Sequence, residues 1–380
     1  MMWALRALCP LCWLLASPER VDPTLRMENV ESMENVDRDR ASSFLLHRWT
    51  RPQPEAQTQA QPQVQVEEAE LQGERTLPQT LPCHNNSLVL SGEYEVKEEL
   101  VLQGPCNISA TGAQLRLRAP IVFNGNVALS GNLTIVGGGG PPFEKACTSV
   151  RGDLLLNAGS HLHIEGCRSS EVKGEGGCLQ VSKDLEIRGG VHLANCHAEG
   201  YGGGASVQGN IRLTGGKLYA ESCSAKRFGG ALRSGNIAIS DASIEVRNVT
   251  ARRGGALYSS YKMSIANASL EVHNAMAEYG GALYSHKMSI ANASLEVHNA
   301  MAGEYGGALF SAMKMEIDNA SLQIHNATAG GHGGALCSFN MAIANATRLE
   351  VRNAVAGGSG GALYSEGNMA IANASLEVHN

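Results

Sequence analysis

Charged and aromatic side chains are both scarce in this chain, at 17% and 5% of residues. A mildly acidic net charge of -6 without clustered Lys and Arg leaves nothing to hold a phosphate backbone, which excludes nucleic acid as the main partner. No segment approaches the roughly eighteen consecutive apolar residues of a membrane-spanning helix, so no membrane span is expected. CxxC pairs are absent beyond the first seventeen residues, and the other cysteine spacings match no zinc finger or ribbon. No cofactor is implied.

Glycine, by contrast, is abundant, with 44 residues, which suits many short strands joined by tight turns. Residues 1–17 place Arg6 ahead of an apolar run interrupted only by Pro10 and read as a signal peptide. The mature chain is therefore expected to be secreted, or exposed at the cell surface. Residues 18–80, with a Gln/Pro tract at 52–68, have the composition of a disordered linker. Residues 81–175 then form an N-terminal cap with irregular coils, and residues 176–380 a regular repeat.

That repeat is announced by one phrase: GGCL at Gly176, GGAS at Gly203, and GGAL at Gly229, Gly254, Gly280, Gly306, Gly333 and Gly360. The spacing of 25 to 27 residues marks stacked supersecondary units. One coil, residues 254–279, holds three runs of alternating apolar and polar residues at 256–259, 263–267 and 270–274. Period-2 alternation predicts strands, and the intervals between them are too short for a helix. The fold class that follows is all-β: a single-stranded parallel β-helix with three short strands per coil and about eleven coils. The crossover rule makes it right-handed.

Aligned coils give columns. Met263, Met288, Met315, Met341 and Met369 form one, and Ile239, Ile265, Ile290, Ile317, Ile343 and Ile371 the next. Leu270, Leu295, Leu322, Leu349 and Leu376, with Val272, Val297, Ile324, Val351 and Val378, complete an inward-facing core. Two asparagine columns end the strands. One is Asn267, Asn292, Asn319, Asn345 and Asn373; the other is Asn248, Asn274, Asn299, Asn326, Asn353 and Asn380. Continuing the inward parity makes them buried structural ladders whose amides bond turn backbones of neighbouring coils. Several also sit in N-x-S/T, so a rival reading is glycosylation. Asn85, Asn107 and Asn132, which no repeat explains, are the expected glycosylation sites.

Eight cysteines remain after the signal, Cys337 among them, and an even count in an exported chain points to disulfides, with Cys83, Cys106, Cys147, Cys167, Cys178, Cys196 and Cys223 as the candidates. Cys167, Cys196 and Cys223 fall in one column, where neighbours about 4.8 Å apart could bridge: Cys167 with Cys196, or Cys196 with Cys223. The alternative is a column of buried thiols.

The GGAL phrase following an Asn-bearing strand, as in residues 274–284, resembles the repeats of chlamydial polymorphic outer-membrane proteins, which are autotransported adhesins carrying GGA[ILV] and FxxN. The likeness covers roughly residues 170–380, though Glu271 stands where FxxN has Phe. It implies an extracellular, adhesin-like setting and the pectin-lyase-like class of parallel β-helices.

Three sets of side chains bear on function. Tyr258, Tyr284, Phe310 and Tyr364 share a column that also holds Gln180 and Arg233, which predicts an outward-facing stripe able to stack on sugars or anchor a protein. Glu245, Glu271, Glu296, Glu350 and Glu377 lie beside Arg247, His273, His298, His325, Arg352 and His379; this reads as a charge-balanced solvated face rather than a metal site. Asp153, Asp184, Asp241 and Asp318 occupy different coils and assemble no carboxylate constellation. The expected function is non-catalytic: adhesion, glycan or protein binding, or a rigid surface spacer. The alternative is a polysaccharide lyase or hydrolase. Finally, residues 376–380 repeat the phrase of earlier third strands and leave Met369, Ile371, Leu376 and Val378 without a cap, which predicts further coils or end-to-end self-association.

Overall fold

A computed structural model describes residues 75–76, 80–83, 86–170 and 176–379. The signal peptide, almost all of the linker, Asn85 and Asn380 lie outside the described residues. All described residues belong to one compact unit, Leu71–Asn380. Every strand pairing among them is parallel, and no helix occurs, so the unit is a parallel β-solenoid of about 10 turns. Among the described residues no helix is long and apolar enough to cross a membrane.

The core columns form as expected. Met263, Met288, Met315 and Met341 are in register, as are Ile265, Ile290, Ile317 and Ile343, and all are buried. In the regular coils the first two predicted strands fuse into one, as in Leu257–Ala266, with a register shift between Ser259 and Lys262. A buried serine fixes this bend. Ser259 donates to the Lys262 carbonyl (2.8 Å), Ser285 to that of Lys287 (2.8 Å), and Ser311 to that of Lys314 (2.7 Å). A hydroxyl inside an apolar coil is thus satisfied by a carbonyl that the bend frees from the ladder.

Both asparagine columns occupy corners with left-handed backbone. Asn267, Asn292, Asn319, Asn345 and Asn373, with Asp241, have φ between 46° and 51°. Asn248, Asn274, Asn299, Asn326 and Asn353 have φ between 51° and 56°. Asparagine tolerates this region better than other residues with a Cβ. Here the structure corrects the sequence reading: these asparagines are exposed, not buried. A single left-handed residue breaks the strand's alternation, so the next residue turns inward instead: Ala268, Ala293 and Ala320 at one corner, Ala275, Ala300 and Ala327 at the other. The ladders exist, but outside, amide to amide. Asn274 donates to Asn248 (2.9 Å), Asn299 to Asn274 (3.0 Å), Asn326 to Asn299 (2.9 Å) and Asn353 to Asn326 (3.0 Å).

The third corner belongs to the glycine pair. The first glycine has positive φ (Gly280, 61°), and the second has no room for a side chain: a Cβ on Gly281 would stand 2.0 Å from the Gly307 carbonyl oxygen of the next coil.

Disulfides follow a different rule from the one expected. Cys147–Cys167 and Cys178–Cys196 join positions within one coil, across its cross-section, and Cys83–Cys106 closes the N-terminal coils. The column neighbours Cys167, Cys196 and Cys223 do not bridge each other. Each column cysteine meets the residue just before the coil's first strand, and for Cys223 that position is Gly204, so Cys223 stays a buried free thiol. Burial pushes it up to about 12.

Candidate functional site

The predicted aromatic stripe is in register, yet it does not face solvent. Tyr258, Tyr284 and Phe310 are 5%, 3% and 2% exposed. Their side chains do point out of the coil, but the residue before each glycine pair folds over them. That covering column, Tyr201, Phe228, Arg253, Tyr279, Tyr305 and His332, runs as consecutive parallel bridges and pairings. Phe228 stacks on Tyr258 (4.6 Å), Tyr258 on Tyr284 (5.1 Å), and His332 on Tyr364 (4.7 Å). The Arg253 guanidinium lies over the rings of Phe228 and Tyr279, each at 5.4 Å. Burial raises the Tyr284 phenol to about 12. The column is a dry aromatic spine rather than a binding stripe. Its cover was legible in the sequence as the large residue one place before each GG, a signal that reading the GGAL phrase forward passes over.

The acidic and basic columns line the outer face of the third strand and are at least partly exposed, except Glu350, which is buried between Arg348 and Arg352 and so departs from the expected solvated face. His273 contacts Glu271 and His298 contacts Glu296 within their own strands, while His273 and His298 stack at 4.9 Å. The hydrogen bond from His273 holds the Glu271 carboxyl below the usual carboxylate range.

Between the second and third strands the surface carries an open groove of about 760 Å³ running along the solenoid. Its floor is the pair of alanines turned inward by the left-handed corner, Ala242 and Ala268. One wall is the corner column Asp241, Asn267 and Asn292, and the other the serine column Ser243, Ser269 and Ser294. The serines are directly opposed in register from coil to coil, continuing to Ser321. Within this groove the asparagine ladder is interrupted. Asn319 donates to Asn292 (2.7 Å) and Asn345 to Asp318 (2.9 Å), but the Asn267 amide bonds no described side chain. The hydroxyls of Ser243, Ser269 and Ser294 are likewise unclaimed by described residues. Asparagine offers both donor and acceptor, and serine the same on one rotatable oxygen, so the groove presents a mixed amide and hydroxyl edge on the coils of Asn267 and Asn292, with Asp241 in place of the amide one coil earlier and Lys217 at its end.

No protein-family model matches this chain, nor does any curated protein or solved structure. What stands is the parallel β-solenoid itself. Asp153 and Asp184 are linked through the chain rather than converging on one point: Asp153 accepts the Asp184 N–H (3.1 Å), and Asp184 accepts from the Asn210 N–H and from the Arg212 guanidinium. Asn107 and Asn132 are exposed on strands and the sequon asparagines of the repeat are exposed at the corners, which removes the burial argument that had set the two groups apart.

Proposed function

We propose that this protein is a non-catalytic extracellular adhesion or binding solenoid whose corner groove takes a neutral, extended glycan laid along the axis. The observation that carries this reading is the repetition of the groove walls: the same amide and hydroxyl recur on successive coils, in register. A catalytic centre needs one convergent constellation at one place. A wall that repeats at every coil suits a ligand that also repeats, and many weak contacts at fixed spacing add up without a deep pocket. Amides and hydroxyls with few charges favour a hydroxyl-rich, uncharged polymer. The signal peptide and the three disulfides support an oxidising, exported setting.

The test is retention of the mature protein on immobilised neutral polysaccharides, with Asn267→Gly combined with Ser269→Val. Glycine keeps the left-handed corner and valine suits the strand, so the fold is preserved while both polar walls are cut. Binding by the parent and clearly weaker retention of the double variant, whose walls are broken at one coil, are expected. Unchanged retention in the variant would remove the groove from the function, and new reducing ends or unsaturated products would make the protein an enzyme.

A further inference from the structure

One cluster outside the groove does not repeat. His161 and His163 are two residues apart on the strand His161–Glu165 and so share its outer face; the neighbouring strand Gly190–Ala194 places His192 directly beside His163 and Gly190 beside His161. His163 and His192 stack with ring centroids 4.3 Å apart and planes 10° from parallel. The Nε2 atoms of both are buried and have no hydrogen-bond partner. Two orphaned imidazole nitrogens side by side are costly unless something else satisfies them. The third imidazole leans across the gap left by Gly190: a Cβ there would stand 2.5 Å from His161 Nδ1. Glu165 is 3.5 Å from His163 Nε2 and supplies a carboxylate at the rim.

The geometry points to a transition-metal site of three histidines, His161, His163 and His192, that takes a divalent ion such as Zn²⁺ or Cu²⁺ and clips two neighbouring coils together. Neutral imidazole is the ligand form that such ions take. Metal–nitrogen bonds near 2.0–2.1 Å in tetrahedral geometry need donors about 3.4 Å apart. The stacked pair closes that distance by tilting about χ2, which is soft for histidine, and the exposed His161 swings in over Gly190. The trio Glu350, Glu377 and His379 already lies within 4.8 Å, but Arg348 and Arg352 both hold Glu350 and repel a cation.

The two coils joined are those stapled by Cys147–Cys167 and Cys178–Cys196. A bound ion would therefore brace the solenoid where its irregular coils meet the regular repeat, and would raise its thermal stability by mass action.

The experiment uses the tag-free mature chain with Cu²⁺ alone and Zn²⁺ alone. Cu²⁺ should give a nitrogen-coupled electron paramagnetic resonance spectrum at one ion per chain, and Zn²⁺ should raise the unfolding temperature. His161→Gln, at an exposed position, and His192→Gln should each weaken binding by more than about tenfold, the cost of losing even an outer partner of a metal site. Gly190→Val, which fills the gap, should act alike. His273→Ala with His298→Ala serves as the control and should change nothing. Absence of binding at low micromolar ion, or binding that His161→Gln leaves intact, overturns the site.

Discussion

A left-handed corner decides what its residue can be exchanged for. Asn292 has φ 50°, is exposed, and accepts a hydrogen bond from Asn319 at 2.7 Å. Alanine there would lose the amide and with it the local polar contacts by which asparagine offsets the Cβ penalty of left-handed backbone, roughly 1–2 kcal/mol per residue. Glycine would lose only the amide. Asn292→Ala should therefore destabilise the solenoid by about 2 kcal/mol in urea unfolding and Asn292→Gly by well under half of that. Equal losses would mean that the amide ladder, and not backbone strain, selects asparagine. The same backbone explains a misreading. Strand parity carried through the corner puts these asparagines inside, because parity knows nothing of a single residue with inverted φ. The alanine that follows each one, in the phrase Asn-Ala-Ser, was the visible mark of the turned chain.

At the level of the coil, two positions face each other across the cross-section, and the protein fills them differently along its length. They hold Cys178 and Cys196 in one coil, Gly204 and Cys223 in the next, and Ala282 and Ala300 further on, all in register. Cys178 and Cys196 have Cα atoms 5.5 Å apart and are 18 residues apart in sequence, the same separation as Ala282 and Ala300 (300 − 282 = 18). Both alanines are fully buried and small enough to be replaced by cysteine. Ala282→Cys with Ala300→Cys should oxidise to a native-like disulfide, visible as a loss of two mass units. It should add about 3 kcal/mol, the loop-closure expectation for a ring of this size. Free thiols in the folded variant would show that the regular coils are shaped differently from the stapled ones. Strand columns, core and repeat were legible in the sequence because period-2 alternation recurs every coil. The pairing of cysteines was not, since columns show which residues stack between coils and say nothing of which ones meet across a coil. The aromatic spine was half read: its outward direction followed from Gln180 and Arg233, while its cover, visible as Tyr201, Phe228, Arg253, Tyr279, Tyr305 and His332 ahead of the glycine pairs, lies outside the GGAL phrase that set the columns.

Across the solenoid, repetition makes a claim that a single site does not. Tyr279 and Tyr305 occupy equivalent places, paired in register and each followed by a glycine pair. Removing residues 280–305, one coil of 26, joins Tyr279 to Gly306 and recreates a native junction. The strands Leu257–Ala266 and Leu309–Asp318 then become neighbours, with Met263 against Met315 and Ile265 against Ile317, the same residue pairs that stack in the intact protein. Solenoid stability is close to a sum of coil and interface terms, so the shortened chain should fold and unfold with slightly lower stability rather than collapse. The excision also removes Asn292 and Ser294 from the groove, but Asn319 and Ser321 move into their places. If the groove works by repetition, glycan retention should persist in the shortened protein with only a modest loss. If retention vanishes while circular dichroism still reports folded β-structure, the ligand reads one unrepeated feature of that coil, and an extended partner along the corner is the wrong kind of ligand.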